Sequence, residues 1–132
     1  MAVLPPDHDI DLWLAAFRLD AFVHRHVAIV LAHLPPPVRE DLMGDPNFHL
    51  CDYEPGPGVV MYVPAAAPGR NRASRSVVLK RTLRHRPRAF VTWLIAHEFA
   101  HAHLRHAGRW PGEDPELAAD GLAATWGFPK PR

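Results

Sequence analysis

Apolar residues recur at three-to-four spacing near the start of the chain, at Ile10, Trp13, Leu14, Phe17, Ala21, Val27, Ala28 and Leu31. That period predicts one long helix over residues 9–34. Asp9 or Asp11 would cap it, and Pro35-Pro36-Pro37 would end it. A helical turn over Val38 to Met43, stopped at Gly44, is expected next. The pattern then changes. Residues 48–53 and the β-branched and aromatic run 58–63 read as strands. Glu54-Pro55-Gly56-Pro57 between them is a turn signal, so the two runs predict a hairpin. A loop rich in Pro, Gly, Ala and Arg spans 64–74, and Ser76 to Leu83 predicts a third strand.

Two more helices close the chain. Pro87 suits a first helical position, where its missing N–H has no intrahelical role. The helix it opens runs to about Ala107, with Gly108 as its stop. Asp114 is an N-cap and Pro115 a first residue for a last helix over Glu116 to Trp126, ended by Gly127. The expected fold class is α+β: a long N-terminal helix and two C-terminal helices packed on one face of a small three-stranded sheet.

Length and composition bound this picture. The chain of 132 residues fits a single domain, 1–132, and 48% hydrophobic residues can furnish its core. A net charge of +1 gives no global pull toward nucleic acid or membrane. The one cysteine, Cys51, cannot form an internal disulfide, which suits a reducing compartment. The start MAVLPPDHDID lacks the basic segment of a secretory signal, and the apolar run 89–96 is too short to span a bilayer. The expectation is a soluble, cytoplasmic protein.

The chemistry is concentrated in residues 97–101, HEFAH, a match to H-E-x-x-H. Histidines four apart on a helix lie on one side, about one turn apart. Both imidazoles can reach one Zn²⁺ at about 2.0–2.1 Å. Glu98, next to them on the helix surface, can take a proton from a metal-bound water. A shuffled chain with ten His and five Glu would contain the pattern roughly 0.03 times. The helix is apolar nearly all round. At about 100° per residue, the His97 side also carries Phe90, Trp93, Leu94, His101, Leu104 and Arg105, and the opposite side carries Ile95, Phe99 and Ala102. Such a helix is buried, and buried histidines need partners, which a metal supplies.

Catalytic zinc takes a third protein ligand and keeps one position open. Glu116 and Asp120 form E-x-x-x-D on one face of the last helix. Glu116 can ligate the metal, and Asp120 can accept the N–H of the non-ligating nitrogen of His97 or His101, which fixes the tautomer. Glu113, Asp114 and Asp120 remain alternative ligands.

HEFAH followed by Glu116-Leu117-Ala118-Ala119-Asp120 resembles the gluzincin zinc metallopeptidases. The compact arrangement, with Ala123 following, is similar to the ImmA/IrrE-like minimal peptidases and to the catalytic helices of HtpX-like peptidases. The resemblance covers about residues 76–128. Residues 1–47 have no counterpart, and the membrane helices of the HtpX-like group are missing. It implies a small zincin-like domain with His97, His101 and Glu116 on Zn²⁺ and Glu98 as general base. It also implies hydrolysis of peptide bonds in a specific protein or peptide substrate. Tyr53, Tyr62 and Arg105 are candidate oxyanion donors, and a peptide can add to the sheet edge at 58–63 or 76–83. The resemblance leaves room for a regulatory protein partner. The alternative reading is a catalytically silent, peptidase-like zinc-binding protein that serves as an interaction module.

Other features read as structural. Eight of the 15 basic residues fall between Arg70 and Arg88. Few aromatics are interleaved, so the stretch reads as a solvated loop and strand face, and nucleic acid is not an expected partner. His24, His26 and His33 in the first helix read as surface residues, with a second metal site as the other reading, and His103 and His106 beyond the motif read as surface or second-layer residues. Cys51 and the four tryptophans read as packing.

Overall fold

A computed structural model of the chain describes residues 6–54, 75–104 and 114–132. Among these the element order is α1 (Pro6–Ala15), α2 (Ala21–His33), α3 (Pro36–Met43), β1 (Phe48–Tyr53), β2 (Arg75–Lys80), α4 (Arg88–Leu104) and α5 (Pro115–Thr125), with a 3-10 turn at Arg81–His85. The class is α+β, as expected from the sequence.

The expected single helix over 9–34 is two helices. In α1 the fully buried residues are Ile10 and Leu14, and in α2 they are Val23, Val27, Val30 and Leu31. At about 100° per residue, nine residues from Leu14 to Val23 turn the wheel by about 180° in excess of whole turns. One straight helix would thus point its two apolar sets in opposite directions. The chain instead reverses through residues 16–20, with Arg18 at φ 53°, and α1 packs against α2. Ala21 and Ala28, which extended the apparent period, are exposed and half-buried. The cap is neither Asp9 nor Asp11. Asp20 accepts from the Phe22 N–H at 3.1 Å and so opens α2. His33 ends α2, Pro35 precedes α3, and Gly44 closes α3.

The expected three-stranded sheet is two-stranded among the described residues. β1 pairs with β2 in parallel, with Phe48 opposite Arg75 and Tyr53 opposite Lys80. A parallel pair needs a crossover connection and not a tight hairpin turn. The run 58–63 and its hairpin turn lie outside the described residues. Phe48, Leu50, Val77 and Leu79 turn one face of this small sheet into the core. β2 stops at Lys80 instead of Leu83. Continuing the alternation of Val77 and Leu79 would send Arg81 into that core, at the cost of burying its charge. The 3-10 turn leaves the Arg81 guanidinium beside Asp52 at 3.2 Å and returns Leu83 to the interior.

α4 occupies the centre. It packs against α2, α3, α5 and β2, with Val91, Ile95, Ala96, Phe99 and Ala100 fully buried. Pro87 sits just before it, its carbonyl accepting from Phe90 and Val91. α5 begins as its cap predicted: Asp114 accepts from the Glu116 N–H at 2.9 Å, and Pro115 is its first residue. Gly127, at φ 99°, ends it in a conformation that favours glycine. Ala119 and Ala123 on α5 are fully buried, as are Ala96 and Ala100 on α4. α4 and α5 pack against each other, and the acidic stripe of α5 reaches the histidines of α4.

Arg75 is a tie between these layers and no part of a solvated basic face. Its side chain is 9% exposed. It donates to Asp41 at 2.8 Å and Asp45 at 2.9 Å, and to the carbonyls of Asp41 and Ala102 at 2.8 and 3.2 Å. Burial opposes its charge, but the hydrogen bonds and charges of Asp41 and Asp45 outweigh that and hold the guanidinium more basic than usual. Arg81 and Arg84 pair with Asp52 and Glu54. No helix among the described residues is long and apolar enough to cross a membrane.

Candidate metal centre

Two facing helices build the site. His97 and His101 stand one turn apart on α4, and Glu116 and Asp120 stand one turn apart on the first turns of α5. The two Nε2 atoms of His97 and His101 are 3.0 Å apart. The Glu116 carboxylate spans them, with Oε2 at 3.0 Å from His97 Nε2 and Oε1 at 3.1 Å from His101 Nε2. His97, His101 and Glu116 could therefore hold a metal ion, and they are the group of this kind among the described residues.

The chemistry of the donors fits a cation. Asp120 Oδ1 lies 2.8 Å from His97 Nδ1 and is an acceptor only, so that nitrogen carries the proton. Unless it gains a second proton, His97 turns the lone pair of Nε2 toward a second imidazole nitrogen and a carboxylate oxygen. Three acceptors within about 3 Å need positive charge among them, a proton or a metal ion. A tetrahedral ion bound at about 2.0–2.1 Å separates its donors by about 3.3 Å, so the observed edges need only a small expansion.

Burial is graded across the cluster. The His97 side chain is 7% exposed, that of His101 20%, and that of Glu116 68%. The histidines belong to the interior and the carboxylate faces solvent, so the cluster opens on its Glu116 side. Glu98, half-buried, follows His97 on α4. Burial pushes its carboxyl above the ordinary carboxylate range. The nearby charges of His97 and His101 pull the other way, and Glu116 adds to the upward push. A carboxylate so placed senses all three residues of the cluster and is a stronger proton acceptor than a solvated one.

Of the other residues considered from the sequence, Asp114 caps α5 and is not part of the cluster. Glu113, Tyr62, Arg105 and His106 lie outside the described residues. Tyr53 ends β1 and makes no hydrogen bond to the cluster among the described residues. His24 pairs with Asp11, His33 bonds the Ile29 carbonyl, and His103 pairs with Asp41 at 2.7 Å. His26 is no surface residue: it is 7% exposed, bonds the Phe22 carbonyl and stacks on the Phe22 ring.

One contact was not expected. Trp93 Nε1–H donates to Asp120 Oδ1 at 3.0 Å, the same oxygen that accepts from His97. The sequence held a signal for it, since Trp93 stands four residues before His97 on the same helix side. Reading tryptophans as apolar packing hid their polar handle.

Comparison with protein-family models, with curated proteins and with solved structures finds no match to this chain.

Proposed function

We propose that the protein is a zinc-dependent metallopeptidase of the gluzincin type, acting on a specific protein or peptide substrate. The observation that carries the reading is the convergence of His97 Nε2, His101 Nε2 and the Glu116 carboxylate within 3.1 Å. Two histidines and a glutamate are a donor set of catalytic zinc, which leaves a fourth position for a small ligand. A bound zinc ion would supply Lewis acidity toward a carbonyl and make water acidic near neutral pH.

The chain's own residues have distinct tasks in this scheme. Asp120 holds His97 in the tautomer that presents Nε2 to the metal. Glu98 takes a proton from the attacking water and delivers it to the leaving amine, so that water and one peptide bond become a carboxylic acid and an amine, which settle as carboxylate and ammonium. Its raised proton affinity suits that relay. A purely structural metal site has no use for a carboxylate in this place, which favours an enzyme over a silent binding module.

The test pairs two substitutions. Elemental analysis should find one zinc per wild-type chain and none in His97→Ala. Glu98→Gln should keep the zinc and lower peptide hydrolysis by about 10²-fold or more. No stoichiometric metal in the wild type overturns the metal reading. Full activity of a zinc-loaded Glu98→Gln protein overturns the role of Glu98.

A further inference from the structure

Asp120 stands behind His97, and what holds Asp120 is itself visible. Its Oδ1 receives two hydrogen bonds, 2.8 Å from His97 Nδ1 and 3.0 Å from Trp93 Nε1. Trp93 is 8% exposed, so its N–H needs a protein partner, and Asp120 is that partner. The indole is hemmed in on several sides. The His97 ring lies at 5.3 Å, the Phe90 ring at 5.4 Å, and the Lys130 ammonium at 5.4 Å from the Trp93 ring. An indole so clamped aims its N–H in one direction. The Asp120 side chain is 25% exposed, so solvent competes with His97 for its carboxylate.

We propose that Trp93 is a positioning residue for the metal centre: its indole N–H fixes the Asp120 carboxylate, which in turn fixes the tautomer and ring orientation of His97. The proposal rests on the metal-site reading and deepens it. Trp93, His97 and His101 succeed each other at four-residue steps on α4. The row thus places the donor that orients Asp120, the imidazole that Asp120 orients and the second imidazole along one helix side. With the N–H removed, Oδ1 keeps only His97. The carboxylate can then rotate toward water, and His97 can exchange its Nδ1–H for an Nε2–H, which cannot ligate.

The experiment uses the full chain and Trp93→Phe, which keeps an aromatic ring and removes the donor. Zinc affinity is measured by chelator competition in the wild type, Trp93→Phe, Asp120→Ala and the double variant. Losing a group behind a metal-ligating histidine weakens metal binding by about 10- to 100-fold. The expected result is a fall of about tenfold for Trp93→Phe and no further fall when it is added to Asp120→Ala. Equal falls in both backgrounds would show that the ring acts by packing alone, and an unchanged affinity would show that it has no role. Metal-free protein gives a separate readout. Imidazole ¹⁵N shifts should report the Nδ1–H tautomer of His97 in the wild type and a mixture in Trp93→Phe. If the wild type takes up no zinc, the metal reading falls, yet these shifts still decide whether Trp93 sets the tautomer. If Trp93→Phe does not fold, the same measurements are made with benzothienylalanine at position 93, which preserves the bicyclic shape and replaces the N–H by sulfur.

Discussion

Replacing Arg75 by methionine tests the tie between the sheet and the helices. Methionine retains length and apolar bulk but donates nothing. The native side chain bridges β2 to α3 through Asp41, to Asp45 beyond α3, and to α4 through the Ala102 carbonyl, one residue past His101. Hydrogen bonds to charged groups contribute about 1.5–3 kcal/mol each, and two carboxylates lose such bonds, giving about 3–6 kcal/mol. Two facts lower that figure. Asp41 and Asp45 are 21% and 18% exposed, so water can reach them once the guanidinium is gone. Asp41 also keeps His103 at 2.7 Å. The expected loss is about 3 kcal/mol, a large part of the roughly 5–15 kcal/mol of a typical domain. For a chain of this size it lowers the melting temperature by about 10 °C. Urea unfolding followed by circular dichroism, with chelator present, measures the loss without metal linkage. The sign of the pH effect follows from the raised basicity of Arg75. A base made more basic by folding contributes fully below its unfolded value and loses that contribution only as pH rises through the folded one. The difference between wild type and variant should therefore stay constant from about pH 7 to about pH 10. A loss under about 1 kcal/mol, or one that shrinks across that window, refutes the reasoning.

Two further outcomes are expected. Glu116→Ala removes a side chain that is 68% exposed, so the metal-free protein should change by less than about 1 kcal/mol in urea unfolding. Zinc affinity by chelator competition should fall by about 100-fold, since a structural zinc site draws roughly 10–16 kcal/mol from about four ligands; a large stability loss with unchanged affinity would contradict the assignment. Burial, then the neighbouring Asp52 charge, push the Cys51 thiol above the ordinary thiol range. A thiol raised by folding stabilises the protein below its unfolded value and ceases to do so as pH rises through the folded one. Alkylation by iodoacetamide near pH 8 should thus be slower in the native than in the urea-unfolded protein; equal rates would show an unshifted thiol.

Much of the candidate centre was legible because its parts are local. The four-residue spacings of His97/His101 and Glu116/Asp120 set which side of a helix each pair shares, and Asp114-Pro115 sets where α5 begins. Those properties depend on residues within one or two turns. The N-terminal period misled for a related reason. Exposed Ala21 and half-buried Ala28 carried an apparent stripe across the reversal at 16–20, and apolar spacing alone does not reveal that Leu14 and Val23 face one core from two helices. Arg75 was read as part of a basic face because nothing within reach along the chain is its partner; Asp41 and Asp45 lie 34 and 30 positions away.

By itself, then, the sequence determined the helical frame of the histidine motif, the capped start of α5 and the residues worth testing as ligands. Helix periodicity and capping are short-range properties of the backbone. Tertiary structure alone decided that β1 and β2 run in parallel, that Arg75 ties three layers, and that Trp93 and His97 share one oxygen of Asp120. Those outcomes depend on which groups meet after residues far apart in the chain are packed, where every buried donor and charge must find its partner in the space that the core leaves.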